Sequence, residues 1–535
     1  MSQIGKLQLR VNAEDGLQFI CMKPMTLLFP RSFAAIVCAL FLAGCATAPL
    51  DFPKNYSEAI TDTSDTHLGR EVAEWTAVHP GKSGFYPLVG GIDAFGARLA
   101  LIDRAERSID AQYFLMKPDS AGRLFAFKLL EAADRGVRVR LLLDDIFTTV
   151  EDEAFEVMNQ HPNIELRLFN PIGRGGVFMV NYLGNFKLAN RRMHNKSFTV
   201  DNQISIVGGR NIADEYFELL DDEEFKDFDM LALGPVAAEI AKTFDLFWNH
   251  ELAVPMEAYE SAGDLPDLAS ARAAVDTKTV ETSHQIYEKA LSSPLIKDLM
   301  DDKVELFPAD SIVVTDDPEK LLHKVSADYK VLVTVLATMI DEAESEVIVI
   351  TPYFIPGKNG VEFWRSISNK GVRVIVLTNS LASNNHTPVH AAYSGYRHDL
   401  IDAGVELYEL RVDSSHLPEG SDQQSYESVT LHVKALLIDR KHTFVGSLNL
   451  DPRSIDINTE MGVLIENAEL AGGMTERFLE ALPALAYRVT EDERGKLRWT
   501  TVIEGREIIE TSEPQASRWL RLKAFMMRIL PEGQL

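Results

Sequence analysis

Short apolar runs alternate along the chain with longer segments of helical character. GVRVRLLLDD from Gly136 and GVRVIVLTNS from Gly371 are rich in β-branched and other apolar residues, which predicts buried strands. SAGRLFAFKLLEAADR from Ser120 and KNGVEFWRSISNK from Lys358 precede these strands and have the character of helices. Strand, helix and strand in this order imply parallel pairing through right-handed crossovers. The pattern therefore predicts an α/β fold.

The same order of segments occurs twice. ERSIDAQYF from Glu106 aligns with ESEVIVITPYF from Glu344, and NIELRLFN from Asn163 aligns with GVELYEL from Gly404, with the Gly-Val-Arg-Val strands between them. Unrelated βα units explain this poorly, because both the order of the segments and their amino-acid sequences recur. We therefore interpret the chain as an internal duplication.

Each copy also carries the pattern His-x-Lys-x4-Asp, at a similar distance after Tyr113 and Tyr353. The residues are His194, Lys196 and Asp201 in the first copy and His432, Lys434 and Asp439 in the second. A turn and a second short strand follow each pattern, which predicts a β-hairpin with histidine and lysine on one face and aspartate at the turn. One such pattern also suits a polar strand edge. Two at matched positions of a duplication indicate function.

The doubled pattern resembles the signature of the phospholipase D superfamily. The second copy continues as Gly-Ser-x-Asn to Asn449, whereas the first has Gly209-Arg210 before Asn211. Within the superfamily, GGRNIADEYF from Gly208 and the segment from Thr378 are similar to the bacterial cardiolipin synthases, especially the type called cardiolipin synthase C. The resemblance covers the chain from about residue 85 to about residue 467.

The resemblance implies two phospholipase D-like βα domains, each with a central mixed sheet flanked by helices. A pseudo-twofold axis is expected to relate them, with a shared active site at their interface. We place the parts of the chain as follows: domain 1 at 81–255 (motif 188–215), an interdomain segment at 256–325, domain 2 at 326–490 (motif 427–454), and a C-terminal segment with an amphipathic helix at 491–535.

The resemblance also implies residue roles. One histidine attacks phosphorus and forms a phosphohistidine, while the other protonates the leaving alcohol and then activates the acceptor. We assign His194 as the nucleophile and His432 as the acid and base, although the two copies are symmetric in sequence and the reverse stays open. The remaining motif residues Lys196, Asp201, Lys434 and Asp439 are expected to belong to the catalytic set, and Lys196, Lys434, Asn211 and Asn449 to hold the phosphate oxygens.

Two acidic residues follow the motifs at positions that we align with each other. Asp229 and Glu460 resemble the family's acidic partners of the two histidines, since a neutral imidazole needs an acceptor at its second nitrogen. A surface acid on a strand is the alternative. Neither copy has a carboxylate cluster spaced for Mg²⁺ or a His/Cys set for Zn²⁺, so we expect no metal and no cofactor.

The expected activity is phosphatidyl transfer that makes cardiolipin, with phosphatidylglycerol or a similar phospholipid as substrate. Two alternatives stay open: a phospholipase D with water as acceptor, and an envelope lipoprotein that binds phospholipid without turnover. The chain of 535 residues has a net charge of −27 and no basic block. Because nucleic-acid binders need clustered positive charge, we expect no nucleic-acid partner.

The N-terminus predicts a membrane anchor. All three cysteines lie there, and Leu42-Ala43-Gly44-Cys45 after a short apolar run resembles a bacterial lipoprotein signal, with an ordinary secretory signal or a buried helix as the alternative. We expect residues 1–44 to be a signal peptide, with Met22 as an alternative start, Cys45 to be lipidated, and 45–80 to be a flexible tether. Such a protein faces the periplasm. Ala46 favours the outer membrane, and the inner membrane stays open.

The C-terminus predicts an amphipathic helix. Basic residues occupy one side and apolar residues the other: Arg518, Arg521 and Arg528 oppose Trp519, Leu522, Met526 and Leu530. Such a helix lies at a bilayer surface with its basic residues near anionic headgroups. Ordinary docking of the helix onto the core is the alternative.

Overall fold

The structure is a computed structural model. It describes residues 49–146, 152–174, 190–220, 223–259, 264–301, 303–323, 326, 329–414, 428–530 and 532–534. The predicted signal peptide and Cys45 lie outside these residues. Within the described ranges, no helix has the length and apolar character needed to cross a bilayer.

Repeat 1 consists of a mixed sheet with helices packed on it. Its strands are β1 (Ser83–Leu88), β2 (Ser108–Tyr113), β3 (Arg138–Asp144), β4 (Ile164–Phe169), β5 (Ser197–Val200), β6 (Ile204–Gly208), β7 (Glu223–Lys226), β8 (Asp229–Leu233) and β9 (Ala253–Pro255). Its helices are α1 (His67–Val78), α2 (Gly91–Arg104), α3 (Ser120–Asp134), α4 (Asp152–Asn159), α5 (Pro235–Trp248), α6 (Leu268–Ala273), α7 (Thr277–Leu291) and α8 (Pro294–Met300).

Repeat 2 has the same plan. Its strands are β10 (Phe307–Thr315), β11 (Glu346–Ile350), β12 (Arg373–Asn379), β13 (Val405–Leu410), β14 (Ser428–Leu431), β15 (Ala435–Ile438), β16 (His442–Gly446), β17 (Met461–Glu466), β18 (Ala486–Glu491), β19 (Leu497–Ile503) and β20 (Arg506–Glu510). Its helices are α9 (Val331–Asp341), α10 (Gly357–Asn369), α11 (Thr387–Tyr393), α12 (Arg397–Asp402), α13 (Pro452–Asp456), α14 (Ala468–Leu485) and α15 (Arg518–Met527).

The strand order shows the duplication. In repeat 1, β2, β3 and β4 pair in parallel, and the β5–β6 hairpin pairs antiparallel to β2. In repeat 2, β11, β12 and β13 pair in parallel, and the β15–β16 hairpin pairs antiparallel to β11. Each repeat encloses its own apolar core between sheet and helices. The predicted α/β fold with two repeated domains is confirmed.

The two sheets join into one. Strand β1 pairs antiparallel with β10, so that eighteen of the described strands form a continuous sheet. A third apolar core lies across this junction, with Phe85 and Met230 from repeat 1 against Val445 and Val463 from repeat 2. Strand β7 of repeat 1 pairs in parallel with β14 of repeat 2. The repeats therefore share strands and core, and any site between them is held rigidly.

The structure corrects three of the expected boundaries. Residues 49–80 do not form a flexible tether: α1 buries Leu68 and Val72 in the repeat 1 core, and Lys54 donates to the backbone carbonyls of His250 and Ala253. The interdomain segment supplies β10, which pairs with β17 of repeat 2 and with β1 of repeat 1. The C-terminal segment extends the same sheet through β19 and β20.

The C-terminal helix α15 has two apolar faces. Leu520, Ala524 and Met527 pack on the repeat 2 core beside α11. A second apolar face, which includes most of the residues predicted to meet a bilayer, is exposed: Trp519, Leu522, Phe525 and Met526, followed by Ile529 and Leu530. Core docking and an exposed apolar face thus coexist on one helix.

Candidate active site

The two motif histidines lie where the repeats meet, at the carboxyl ends of the parallel strands. The backbone N–H of His194 donates to the carbonyl of Thr459 in repeat 2 at 3.0 Å. The backbone N–H of His432 donates to the carbonyl of Lys226 in repeat 1 at 2.7 Å. Each histidine is therefore fixed by the opposite repeat, and the exchange is reciprocal, as a twofold relation between the repeats requires.

The histidine side chains also contact residues of the opposite repeat. Nδ1 of His194 lies 2.9 and 3.1 Å from the carboxylate oxygens of Glu460, and Nδ1 of His432 lies 2.6 Å from Oδ2 of Asp227. Both pairs are buried. A carboxylate that accepts from Nδ1–H leaves the lone pair on Nε2, which is the nitrogen that can attack or take up a proton.

The expectation for Asp229 is wrong, since its carboxylate does not meet a histidine. Oδ2 of Asp229 forms a buried ion pair with Arg98 at 2.9 Å, and Oδ1 accepts from the backbone N–H of Arg210 at 3.3 Å. The carboxylate that contacts His432 is that of Asp227. The sheet explains the offset, because Asp229 pairs with Gly208 at the position where Gly462 pairs with Gly446. Asp229 is thus the counterpart of Gly462, and Asp227 that of Glu460.

Asp201 and Asp439, which were expected in the catalytic set, contact backbone N–H groups rather than a histidine. The carboxylate of Asp201 accepts from the backbone N–H groups of Glu106, Arg107 and Ser108, at 2.7 to 3.0 Å for the shortest contacts. Asp439 accepts in the same way from residues 344–346. Both sit at hairpin turns with φ near +50°. Because the hairpins run antiparallel to β2 and β11, these aspartates lie at the opposite ends of the strands from the histidines.

The two lysines are buried beside the histidines. Nζ of Lys196 donates to the carbonyl of His194 at 2.6 Å and lies over the ring of Phe114. Nζ of Lys434 donates to the carbonyl of His432 and also lies 2.7 Å from its Nδ1. Burial lowers the pKa of Lys196 to about 7 and that of Lys434 to about 8.

A cavity of about 700 Å³ lies between the repeats, and Lys196 and Lys434 are not among the residues that line it. Both histidines line it, as do Asn211 and Asn449, so that groups from both repeats face one space. Asn211 donates to the hydroxyl of Tyr216 at 3.0 Å. No group of three or more His, Cys, Asp or Glu side chains arranged to hold a metal ion occurs in the described part of the chain.

Burial keeps both imidazoles neutral. It lowers the pKa of His194 to about 4, against the effect of Glu460, and lowers the pKa of His432 to about 3 together with the Lys434 ammonium. Burial alone would raise the pKa of the two carboxyls, but His194 and Lys196 lower that of Glu460, and Lys434 and His432 lower that of Asp227. Near pH 7 the site therefore contains two neutral imidazoles, two carboxylates and two titratable ammonium groups.

The sequence-based assignment missed Asp227 and Asp451. Asp451 lines the cavity two residues after Asn449, where repeat 1 has Ala213, and burial raises its pKa to about 7. Its carboxylate accepts from the N–H of Ser454 and caps α13. The sequence signal for Asp227 was present, since Asp227 lies just before β8 as Glu460 lies just before the equivalent strand β17. Only the pairing of the strands distinguishes Asp227 from Asp229.

Comparisons with known proteins identify the family and the fold. A family model described as "Cardiolipin synthase, PLD-like domain" matches residues 99–248 and 336–482. Cardiolipin synthase C of Escherichia coli is 38% identical over 469 residues, which cover 87% of this chain and 98% of that protein. Cardiolipin synthase A of Pseudomonas syringae is 27% identical over 415 residues, which cover 77% and 71% of the two chains. The fold is similar to that of phosphatidylserine synthase from Haemophilus influenzae, with a TM-score of 0.50 and 13% identity over 78% of this chain and 91% of that one.

Proposed function

The chain belongs to the cardiolipin synthase-like group of the phospholipase D superfamily and is a phosphatidyltransferase of that type, and we propose that it makes cardiolipin through a phosphohistidine at His194. The observation that carries the proposal is the reciprocal pairing of two neutral histidines with acids of the opposite repeat, around one cavity. A phosphodiester needs a nucleophile, an acid for the leaving alkoxide and cations near its oxygens, and this arrangement supplies each of them.

The first half of the reaction breaks the bond between phosphorus and the leaving alcohol. Nε2 of His194 attacks phosphorus while Glu460 holds Nδ1–H, and the leaving oxygen takes a proton from Nε2 of His432. Lys196 and Lys434 hold the nonbridging oxygens. The products are a phosphatidyl group on His194, a free alcohol and neutral His432.

The second half returns the enzyme to its starting state. The hydroxyl of the acceptor phospholipid gives its proton to His432, its oxygen attacks phosphorus, and the N–P bond to His194 breaks. If the acceptor is phosphatidylglycerol, the product is cardiolipin. If water enters instead, the product is phosphatidic acid, which is the phospholipase D reaction.

Substrate binding prepares His432 for its role as acid. The Lys434 ammonium beside Nδ1 helps to keep His432 neutral in the free protein. An anionic phosphodiester near Lys434 offsets that positive charge, so the pKa of His432 rises as the substrate binds, and Nε2 takes up from water the proton that it then gives to the leaving oxygen. Asp227 then stabilises the imidazolium through Nδ1–H.

The test is product analysis with the purified protein. Mixed phospholipid vesicles that contain isotope-labelled phosphatidylglycerol are incubated with the protein, and lipids are identified by mass spectrometry. We expect labelled cardiolipin, and none from His194→Ala. Labelled phosphatidic acid without cardiolipin would support hydrolysis instead. Unchanged lipids with a folded protein would contradict both reactions and support phospholipid binding without turnover.

We also propose that the exposed face of α15 contacts the membrane. Its residues Trp519 and Phe525 are 68% and 67% exposed, and Arg518 and Lys523 lie on the same helix in a protein of net charge −27. Basic residues contribute about 1 kcal/mol each near an anionic surface. The Cys45 lipid anchor and its placement in the outer or inner membrane stay predictions.

Sedimentation with anionic vesicles tests the membrane contact. We expect Trp519→Ser with Phe525→Ser to reduce binding, because both rings leave the interface. Ile509→Ser, an exposed apolar position on β20, serves as the matched control and should bind as the unmodified protein does. Equal binding of all forms would contradict a membrane role for α15.

A further inference from the structure

A largely apolar groove lies beside the catalytic cavity on the side of repeat 1. Met116 and Pro118, which lie between β2 and α3, line the catalytic cavity and also a second cavity of about 380 Å³. The second cavity lies between one face of α3, helix α4 and helix α6. Residues 116–118 therefore border both spaces, next to the phosphate chemistry. We call the second cavity the α3–α4 groove.

The walls of the α3–α4 groove are mostly apolar, with the charged residues Lys117, Arg123, Glu153 and Arg272 also among those that line it. Helix α3 contributes Phe127 and Leu130, α4 contributes Val157 and Met158, and α6 begins at Leu268 on the third side. Phe127 and Leu130 also line a further cavity of about 480 Å³ toward α7, so the groove continues beyond α6. From Gly122 to Leu130 the wall formed by α3 is about 12 Å long.

The equivalent helix of repeat 2 lacks this apolar face. When α3 and α10 are aligned on the Gly-Val-Arg-Val that follows each, Phe127 corresponds to Glu362 and Leu130 to Arg365. Glu362 and Arg365 form an ion pair at 3.5 Å on the surface. The position that packs on the sheet is apolar in both helices, with Leu129 buried in repeat 1 and Trp364 in repeat 2. Repeat 2 thus keeps the inner apolar face of this helix and carries charged residues where repeat 1 has Phe127 and Leu130.

We propose that the α3–α4 groove binds one acyl chain of the phosphatidyl donor while its phosphate lies between His194 and His432. The inference rests on the proposed function, because the occupant is the phospholipid substrate. A chain attached near the phosphate passes Met116 and enters a space with mostly apolar walls, where each methylene removed from water strengthens binding about fourfold. The groove thus selects donors by chain length, separately from the chemistry at phosphorus.

The first test compares donors of different chain length. For each protein form, kcat/KM is measured for a long-chain and a short-chain phospholipid in mixed micelles, and the ratio of the two values is taken. Phe127→Glu introduces the residue type that repeat 2 carries at this position, and we expect it to lower the ratio about tenfold or more. Because both kcat/KM values are measured on the same protein form, a loss of folded protein lowers both values equally and leaves their ratio unchanged.

Leu246→Glu is the matched control, since Leu246 is an exposed apolar residue of α5 that does not line the groove. We expect the control to keep the ratio of the unmodified protein. An unchanged ratio in Phe127→Glu would overturn the groove assignment. Failure of the proposed function looks different, because the unmodified protein would then transfer no phosphatidyl group at all.

A second test does not depend on a variant. A phospholipid with a photoreactive diazirine near the end of one acyl chain is irradiated with the full chain, and labelled peptides are identified by mass spectrometry. We expect label in peptides from α3, α4 and α6 that excess unlabelled long-chain phospholipid removes. Competable label confined to other segments would overturn the proposal.

Discussion

His194 and His432 occupy equivalent positions in the two repeats, but their neighbours differ. Oε2 of Glu460, the partner of His194, also accepts a hydrogen bond from the hydroxyl of Ser447 at 2.5 Å. Asp227, the partner of His432, sits against Gly209, where a Cβ would lie 2.1 Å from its Oδ1. A serine cannot stand there without displacing the carboxylate. The departure of the first motif from Gly-Ser-x-Asn therefore has a steric cause.

The lysines differ in the same way. Lys434 lies 2.7 Å from Nδ1 of His432, whereas the nearest contacts of Lys196 are the carbonyl of His194 and the ring of Phe114. An anion that binds Lys434 therefore acts directly on His432. The duplicated motif supplies two identical groups, and residues around it make them chemically unlike, as a reaction with one nucleophile and one acid requires.

The largest expected effect separates the two histidines. His194→Ala removes the attacking nitrogen and should abolish transfer. His432→Ala should slow transfer of a natural phospholipid about 10²–10⁴-fold, because general acid help is lost. A nitrophenyl phosphodiester has an acidic leaving group, so His432→Ala should recover much of the first step with it. Stopped-flow release of nitrophenol measures this, and equal losses with both substrates would contradict the acid role.

The next effect separates Asp227 from Asp229. Asp227→Asn removes the carboxylate on Nδ1 of His432 and should lower kcat about 10²-fold. Asp229→Asn leaves Arg98 buried without its partner and should cost about 3–5 kcal/mol of unfolding free energy. Urea unfolding and kcat measured on each variant distinguish the two. A catalytic loss in Asp229→Asn without loss of stability would restore the original assignment.

A smaller effect appears in the pH dependence of kcat/KM for the nitrophenyl phosphodiester, whose acidic leaving group makes the rate nearly independent of the protonation of His432. His194 is neutral above its pKa of about 4, so activity should rise through pH 4. Lys196 and Lys434 have pKa values of about 7 and about 8 and lose their charge as pH rises, so activity should fall through pH 7 to 8. Each lysine that must be charged contributes a fall of up to about tenfold per pH unit above its pKa. A profile flat to pH 10 would show that the lysines do not act as cations.

The smallest effect on rate is expected at the hairpin turns. Asp201→Ala leaves three backbone N–H groups without an acceptor at a position with φ of 49°, and should cost about 2–4 kcal/mol of stability. Asp439→Ala should cost less, because its surroundings are partly exposed and water replaces the carboxylate. The kcat of the folded fraction should stay near that of the unmodified protein. Thermal unfolding together with active-site titration checks both, and a loss of kcat at unchanged stability would return these aspartates to the catalytic set.

The local sequence pattern was enough to predict the duplication, the parallel strands and the two hairpins. Each of these features is visible in short segments, as alternation of apolar and polar residues or as a sequence that recurs in both copies. It could not distinguish Asp227 from Asp229, since residues two apart on a strand share a face. The choice between them depends on the pairing of Gly208 with Asp229. The motif also suggested a common role for His194 and Asp201, which the antiparallel hairpin places at opposite ends of β2.

Segments without a strong pattern were the least predictable. The residues after 49 have the composition of a tether, but Lys54 and α1 bind surfaces of repeat 1 that are distant in sequence. The single-sided apolar pattern of the C-terminus predicted one face of α15. The second face, with Leu520 and Ala524, depends on the repeat 2 surface on which it packs.

The most direct test of the account is acid-quench labelling with a phosphorus-labelled activated phosphodiester. With the unmodified protein, label should appear on a histidine transiently. With His432→Ala it should accumulate on His194, because the first step proceeds and the acceptor then lacks its base. With His194→Ala no label should be trapped. Label that accumulates on His432 in His194→Ala, and is absent from His432→Ala, would contradict the assignment of the two histidines. Full transfer activity with no covalent label in any form would contradict the phosphohistidine itself.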